Sequence, residues 1–441
     1  MALMRRIELA AGERLTEQIL DRSGGIDDAI DATARAIVAD VAARGDAAIK
    51  EYTARFDAVN LTDLRVPATD IAAAYDAVSP ELVAALRKAA DRIRAFHERQ
   101  VQQSWFTTEE TGTLLGQKIT PIARVGIYAP GGRADYPSSV LMNVIPAQVA
   151  GVPEIAVIGP PQPHGTIVAS TLVAADICGV TEIYRVGGAQ AIAALAYGTE
   201  SIPAVDKITG PGNAYVAAAK RCVQGRVGID MIAGPSEVLV LTDDTADASQ
   251  VAIDLMAQAE HDPRAAVYLV TTDATLPDQV ESELSTLLEM TTRADITRTA
   301  ISDNGVALIC PDLDTAVAAA NVIAPEHLEV LTRRPMDLLG AITTAGAIFL
   351  GPWTPEPVGD YLAGPNHTLP TEGTARFSSP LTVDDFVKKT SVLRYTPAAL
   401  AADADAITTL ADTEGFWSHA QAVRMRMELL HKQADGGKDP R

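Results

Sequence analysis

The pattern of apolar and polar positions divides the chain into a helical beginning, a long middle of alternating strands and helices, and a helical end. Apolar residues recur at helical spacing within 26–60 and 79–104, which predicts amphipathic helices. From about residue 121 short apolar runs appear instead, typical of parallel strands that are buried on both faces. The predicted strands are 125–128, 155–158, 183–186, 205–208, 238–241, 267–270, 306–309, 328–331 and 347–350.

Each predicted strand is followed by a turn and, in most cases, by an Ala-rich segment with helical character. Strand–helix alternation at this spacing predicts an α/β fold with parallel sheets. Beyond about residue 380 the strand pattern disappears, and helical segments continue to residues 416–432. We therefore expect parallel sheets followed by a small C-terminal helical region.

Composition and charge narrow the classes of function. The chain has 441 residues and is 47% apolar, so it can build a sizeable core. Its net charge of −21 argues against nucleic acid or an anionic membrane surface as a partner. No apolar run reaches the roughly 18 residues of a membrane span. The widely spaced Cys178, Cys222 and Cys310 favour no disulfide framework, so a cytoplasmic location is expected.

Three predicted strand ends carry glycine-rich loops, at 129–132, 187–190 and 209–213. Parallel sheets bind ligands at the carboxyl ends of their strands, and glycine lets the backbone approach a ligand closely. None of the loops is the full dinucleotide fingerprint, so nucleotide binding is only weakly indicated by the motif. Tight turns between strand and helix remain the alternative interpretation.

Gln258 and His261 form a candidate metal-binding pair at the predicted end of a helix. Residues three apart share a helix face, so both side chains can reach one ion. Imidazole suits zinc well, and an amide oxygen is an unusual but possible ligand. Asp360, from the loop 358–361, could add a carboxylate. A capped helix end without metal is the alternative.

Glu326 and His327 form a candidate acid–base pair, placed after Pro325 and before a predicted strand. A neutral imidazole is the natural base near physiological pH, and a neighbouring carboxylate can orient it or handle a second proton. Adjacent residues on a strand point to opposite faces, so we expect the pair to lie on a turn within reach of solvent or substrate. A solvated Glu beside an incidental His is the alternative.

Four further polar residues accompany these motifs. Ser236 and His367 follow turns that could be purely structural. His419 lies five residues after Glu414, so the two share a helix face only approximately. The remaining histidines lie in polar surroundings and are expected at the surface: His97, His164 and His431.

Several segments together closely resemble the histidinol dehydrogenase family. They are 187–191, 210–213, 229–237, 258–261, 324–328, 359–361 and 366–367. The resemblance extends from roughly residue 25 to 430, and it implies oxidation of L-histidinol to L-histidine in two successive two-electron steps with two NAD⁺. It also implies a zinc ion and a role in histidine biosynthesis.

The resemblance further implies a role for individual residues. Zinc ligands would be Gln258, His261, Asp360 and His419. Glu326 and His327 would be the acid–base residues. Substrate contacts would come from His327, Ser236, His367, Glu414 and the zinc ligands. Tyr128, Gln190 and Asn213 would contact the nucleotide.

The expected architecture is α/β, with two Rossmann-like parallel-sheet domains, a helical N-terminal arm and a small C-terminal helical region. The predicted main domain, which carries the metal and catalytic residues, consists of 26–126 plus 237–380, and the nucleotide-side domain consists of 127–236. The N-terminal arm is 1–25, and the C-terminal dimerisation region is 381–441. The family is a homodimer, so Glu414 and His419 would complete the site of the neighbouring subunit.

Two rival classes of function remain open. A zinc hydrolase would use a metal-bound water and Glu326, which explains the ligands but not the three glycine-rich loops. A non-enzymatic metal or nucleotide binder would tolerate replacement of Glu326 and His327. A thiol route through one of the cysteines is disfavoured, because no base or cationic environment flanks them.

Overall fold

The computed structural model describes residues 3–11, 13–16, 28–131, 135–232 and 234–434. The strands are β1 (Arg5–Glu8), β2 (Trp105–Thr108), β3 (Leu114–Pro121), β4 (Arg124–Tyr128), β5 (Glu154–Gly159), β6 (Ile183–Arg185), β7 (Lys207–Thr209), β8 (Gly228–Ile229), β9 (Glu237–Thr242), β10 (Ala266–Thr271), β11 (Gly305–Ile309), β12 (His327–Leu331), β13 (Ala347–Leu350) and β14 (Val387–Arg394).

The α-helices are α1 (Asp28–Arg44), α2 (Asp46–Phe56), α3 (Ala68–Ala74), α4 (Pro80–His97), α5 (Pro137–Val149), α6 (Ala169–Ile177), α7 (Gly188–Tyr197), α8 (Ala214–Val223), α9 (Ala248–Ala259), α10 (Leu276–Leu288), α11 (Ala294–Asn304), α12 (Leu313–Ile323), α13 (Pro335–Leu338), α14 (Glu356–Val358), α15 (Pro397–Thr413) and α16 (Trp417–Ala434). A π-helical turn, Gly359–Ala363, follows α14 directly.

The first parallel sheet has six strands in the order β1-β11-β10-β9-β12-β13. Every neighbouring pair in it is parallel, and β9 and β12 are paired so that His327 lies opposite Val238. Apolar residues of the central strands are fully buried between helices on both faces. The short apolar runs therefore correctly predicted buried parallel strands.

The edge strand β1 was not predicted, because its sequence is mostly charged. It pairs in parallel with β11 through Arg5–Glu8. These residues belong to the predicted N-terminal arm, of which 1–2, 12 and 17–25 lie outside the described residues. A polar strand is tolerated here because an edge strand has one unpaired side facing solvent.

The second parallel sheet has five strands in the order β6-β5-β4-β7-β8. All of its neighbouring pairs are parallel. Its two faces are covered by different sets of helices, α1, α2, α7 and α8 on one side and α3, α4, α5 and α6 on the other. Two parallel sheets with interleaved helices confirm the predicted α/β class, whereas the predicted domain boundaries stay a prediction.

The chain separates into two compact units, and the smaller one consists of residues 102–121 and 387–441. It contains an antiparallel sheet of order β14-β3-β2, followed along the chain by α15 and α16. The helical C-terminal region is confirmed, but the sequence analysis missed β14, whose register runs from Val387 opposite Pro121 to Arg394 opposite Leu114. In the described part of the chain, no helix combines the length and apolarity needed to span a bilayer.

Candidate active site

The predicted acid–base pair lies at the amino end of the first sheet, not at the carboxyl ends where parallel sheets usually bind ligands. His327 is the first residue of β12, and its neighbour across the sheet, Val238, is the second residue of β9. Both Glu326 and His327 are buried, at 6% and 3% exposure, and His327 already belongs to β12, so the expectation of a turn within reach of solvent is wrong. That the pair is within reach of substrate stays a prediction. The pair lies inside the protein, where charges interact strongly.

The backbone of Glu237 holds both members of this pair. The Glu237 amide N–H donates to Oε2 of Glu326 at 2.9 Å. The Glu237 carbonyl oxygen lies 3.1 Å from Nδ1 of His327, and a carbonyl can only accept. We therefore assign a proton to Nδ1, which leaves Nε2 as the nitrogen that gains and loses a proton.

The charges around His327 favour a strong base. Burial alone would lower the pKa of His327, but the surrounding carboxylates of Glu356, Glu326 and Asp360 raise it well above its ordinary value. Nε2 of His327 lies 3.5 Å from Oδ1 of Asp360, while its Nδ1 lies 3.7 Å from Oε2 of Glu326. Burial raises the pKa of Glu326 to about 8, so this carboxylate is a stronger base than an ordinary glutamate once it is ionised.

The predicted metal pair, Gln258 and His261, reaches the same end of the sheet. Helix α9 follows β9 and runs back along it, so the end of the helix returns to the amino ends of the strands. Gln258 lies in the last turn and His261 just beyond the helix, with 3.2 Å between the side-chain amide and Nδ1 of His261. Nδ1 also lies 3.3 Å from the Gln258 carbonyl oxygen, which leaves Nε2 of His261 for a ligand.

Asp360 and His367 complete the part of the predicted site that the larger unit contains. Asp360 lies on the π-helical turn after α14, where hydrogen bonding and charge from His327 outweigh burial and lower its pKa. Burial lowers the pKa of His367, while the charge of Asp360 acts in the opposite direction. Ser236, the residue before β9, is half-buried, and its carbonyl accepts a hydrogen bond from the Ala266 N–H at 3.0 Å.

The donor set fits a divalent cation of the zinc type. Ligand atoms of His327, Glu356 and Asp360 all lie within 4.8 Å of one another. Nε2 of His367 is buried and has no hydrogen-bond partner among the described residues. Nitrogen and carboxylate oxygen donors that converge in one cluster suit zinc, manganese or cobalt.

Sequence reasoning missed Glu356, which is 2% exposed and lies within this cluster. It stands between two prolines at the start of a short helical turn, where no motif signals a functional carboxylate. Sequence reasoning was also wrong about His97. This residue is fully buried, and its Nδ1 hydrogen-bonds the Ile93 carbonyl at 2.8 Å, so it is a structural residue of α4.

The predicted nucleotide residues lie at or after the carboxyl ends of strands in the second sheet. Tyr128 ends β4, and its hydroxyl accepts a hydrogen bond from the Gly188 N–H at 3.1 Å. Gln190 is buried in the first turn of α7. Asn213 is exposed and caps α8, accepting from the N–H groups of Tyr215 and Val216.

A buried ion pair between Lys220 and Asp230 stabilises the loop that precedes Asn213. Nζ of Lys220 donates to the Gly210 carbonyl at 2.6 Å and to Oδ1 of Asp230 at 2.5 Å. The other oxygen of Asp230 accepts from the Gly210 N–H at 2.8 Å. Gly210 has a φ of +109°, and a Cβ there would lie 2.1 Å from the Tyr128 carbonyl oxygen. Only glycine fits where these two strand ends approach each other.

Replacing Gly210 by Ala is expected to destabilise the protein more than the same change at Gly225. Both glycines have positive φ, +109° and +96°, but an added Cβ at Gly225 meets nothing within 4 Å. Both Ala variants therefore carry the same kind of backbone strain, which costs about 1–3 kcal/mol. The overpacking at Gly210 adds about 1–3 kcal/mol to the loss in free energy of unfolding. Urea denaturation of both variants measures the difference; equal losses would contradict the close approach to Tyr128.

The three cysteines do not provide a reactive thiol. Burial raises the pKa of Cys178 to about 12 and that of Cys310 to about 11. Burial also raises the pKa of Cys222, although Arg35 and Arg221 act in the opposite direction, so the expectation of no cationic neighbour is wrong for this residue. Thiols with raised pKa values are poor nucleophiles.

The last two predicted site residues, Glu414 and His419, belong to the smaller unit. Glu414 is exposed and follows α15, and His419 is exposed in the first turn of α16. The larger unit thus brings Ser236, Gln258, His261, Glu326, His327, Asp360 and His367 to the region around the amino ends of β9 and β12. The roles of these residues stay predictions.

The chain is similar to known proteins over most of its length. The family model for histidinol dehydrogenase matches residues 20–427. The histidinol dehydrogenase of Halalkalibacterium halodurans is 55% identical over 392 residues, covering 89% of this chain and 92% of that protein. The enzyme of the same name from Bacillus subtilis is 50% identical over 400 residues, covering 91% and 94%.

A solved structure is similar across almost the whole chain. The crystal structure of histidinol dehydrogenase from Elizabethkingia anophelis has a TM-score of 0.92 and 36% sequence identity, and the match covers 98% of this chain and 99% of that one. Sequence and fold therefore agree over both units. The chain belongs to the histidinol dehydrogenase family.

Proposed function

We propose that this chain catalyses the zinc-dependent, four-electron oxidation of L-histidinol to L-histidine, by way of bound histidinal and with two NAD⁺ reduced. The step belongs to histidine biosynthesis. The observation that carries the proposal is the buried pair of Glu326 and His327, held by the Glu237 backbone beside the predicted metal ligands. Family membership supports the reaction type.

Gln258, His261, Asp360 and His419 would hold the zinc ion, with His419 contributed by a second copy of the chain. A bound zinc ion would supply a Lewis-acidic centre for the nitrogen atoms of the substrate and so help to position it. The charge of Asp360 offsets part of the positive charge that such a centre brings into the buried site. Ser236, His367 and Glu414 would add polar contacts to the substrate.

His327 accepts the alcohol proton at Nε2, while its Nδ1–H stays on the Glu237 carbonyl. Glu326 accepts a proton from the water that hydrates the aldehyde. Its Oε2 meanwhile accepts a hydrogen bond from the Glu237 N–H. After Nε2 has released the first proton, His327 accepts a proton again in the second oxidation. Tyr128, Gln190 and Asn213 would contact the dinucleotide, which accepts the hydride in each step.

A homodimer is proposed because the smaller unit exposes many large apolar side chains. They are Trp105 (53%), Phe106 (53%), Leu393 (68%), Leu410 (66%), Phe416 (52%), Trp417 (69%), Met425 (61%) and Leu429 (56%). Exposed apolar side chains in this number favour a protein–protein interface. The partner is proposed to be a second copy, and the location of the enzyme is proposed to be the cytoplasm.

The purified protein is expected to form two NADH for each L-histidinol consumed. Chelation should abolish NADH formation, and adding zinc back should restore it, because the metal centre positions the substrate. Absorbance of NADH at the end of the reaction measures the stoichiometry. One NADH per histidinol would contradict the second oxidation. No NADH, with hydrolysis of an ester or amide instead, would favour the zinc hydrolase.

A further inference from the structure

Glu356 is a buried carboxylate that the proposed reaction does not use. It is the first residue of α14 and is 2% exposed. Its backbone N–H donates to Oε1 of Glu329 at 2.6 Å, so the start of this short helical turn is fixed to β12. Burying an isolated carboxylate is costly, so its own side chain requires a partner.

That partner is the side-chain amide of Gln258. With the amide nitrogen toward Glu356, Nε2 of Gln258 lies 3.0 Å from Oε2 and 3.2 Å from Oε1 of Glu356. In the same orientation the amide oxygen lies 3.2 Å from Nδ1 of His261 and can accept from it. The amide nitrogen also lies 3.2 Å from Nδ1 of His327, whose own proton is directed to the Glu237 carbonyl. The reverse orientation would place the amide oxygen against a carboxylate. The hydrogen-bond pattern therefore selects one of the two amide orientations.

A second pair of carboxyl groups also connects helix α9 to strand β12. The carboxyl group of Glu329 interacts with that of Asp254, which lies one turn before Gln258 on α9. Burial raises the pKa of Glu329 to about 9, so Glu329 supplies the proton that the two carboxyl groups share. Residues four apart lie on the same helix face, so α9 is fixed at two successive turns. Asp254, Glu329, Glu356 and Gln258 thus form one continuous network, in which Asp254 is half-buried and the other three residues are buried.

We propose that Glu356 is a positioning residue, whose carboxylate holds the Gln258 amide nitrogen and so presents the amide oxygen to the metal; this rests on the proposed function. An amide without this contact could turn its NH₂ group toward the cation, where it cannot act as a ligand. The proximity of Glu356 to His327 and Asp360 also allows a competing role, in which Glu356 binds the metal directly.

A double-mutant cycle separates the two roles. Zinc affinity is measured on full-length Glu356→Ala, Gln258→Ala and the double variant by competition with a chromophoric chelator. Positioning predicts that Glu356→Ala weakens zinc binding by about 10–100-fold in the wild-type background, as loss of an outer-shell partner does. In the Gln258→Ala background, the same change should alter affinity by no more than about twofold, because the amide it positions is gone.

Cobalt substitution gives a readout that does not depend on activity. If Glu356 acts through Gln258, the visible spectrum of cobalt in Glu356→Ala should match that in Gln258→Ala, since both lose the same oxygen ligand. Glu356→Gln keeps the size of the side chain and one acceptor oxygen, and it is expected to lose less zinc affinity than the Ala variant. Should Glu356→Ala fail to fold, the cycle is run with Glu356→Gln.

Glu260→Gln is the matched control. Glu260 is exposed, yet its charge reaches Glu356, so this change removes a nearby negative charge without removing a contact to Gln258. Its zinc affinity should equal that of the wild type. A loss as large as that of Glu356→Gln would mean that net charge, not positioning, sets the affinity.

The failures of the two proposals are distinguishable. Equal losses from Glu356→Ala in both backgrounds, or wild-type affinity in Glu356→Ala, overturn the positioning role while leaving the zinc enzyme intact. A wild-type protein that binds no zinc overturns both proposals. Strong loss in the wild-type background, with almost none in the Gln258→Ala background, supports the positioning role.

Discussion

Replacing His327 by Asn is expected to slow both oxidation steps by about 10²–10⁴-fold, the usual worth of a general base. In the proposed mechanism the imidazole accepts a proton in each step, and carboxylates around it raise its pKa well above the ordinary value. Asparagine can keep a hydrogen bond to the Glu237 carbonyl, but it cannot accept a proton at neutral pH. The change therefore removes the base with little disturbance of packing.

Single-turnover formation of NADH, started from L-histidinol and separately from histidinal, measures both steps. His164→Asn, an exposed histidine outside the candidate site, is the control and should match the wild type. If the His327 variant lost less than about tenfold in both steps, the base would have to be another group. Loss in only one step would restrict His327 to that step.

Replacing Glu326 by Gln is expected to spare the first oxidation and to reduce the second by about 10²–10⁴-fold. The amide of glutamine retains an oxygen that can accept from the Glu237 N–H, so the 2.9 Å contact of the native carboxylate has a replacement. What is lost is a carboxylate with a pKa raised to about 8 by burial. In the proposed mechanism, only the hydration of the aldehyde needs that base.

The expected result is one NADH formed rapidly from L-histidinol, followed by accumulation of the aldehyde. Rapid quenching with an aldehyde-trapping reagent measures the accumulation. Glu260→Gln applies the same chemical change to an exposed glutamate and should leave both steps at wild-type rates. Equal slowing of both oxidations by Glu326→Gln would contradict the separate roles of the two acid–base residues.

Most of the α/β core could be predicted because buried parallel strands have a distinctive pattern. Segments such as Val238–Leu241 and Val267–Val270 are continuously apolar, and both lie inside strands of the first sheet. The same reasoning failed for Arg5–Glu8 and Val387–Arg394, because edge or half-exposed strands carry many polar residues. Pairing with a distant strand, not local apolarity, determines those two segments.

The candidate site was only partly predictable, since it depends on backbone groups as much as on side chains. Motifs identified Gln258, His261 and the Glu326–His327 pair, and the structure brings these residues together. The main-chain contacts of Glu237 have no sequence signature, because every residue except proline supplies the same N–H and C=O. Glu356 was missed because an isolated acidic residue between prolines is usually a solvated turn residue.

The use of one peptide backbone to hold both acid–base residues has a consequence for mutational tolerance. A point mutation at position 237 changes a side chain but leaves both main-chain contacts available. Most single-residue substitutions at this position should therefore preserve the two contacts. Only a slip between β9 and β12 would separate them, and the buried pairing of Val238 with His327 opposes such a slip. During evolution, the relative positions of Glu326 and His327 should therefore change less than the identity of residue 237.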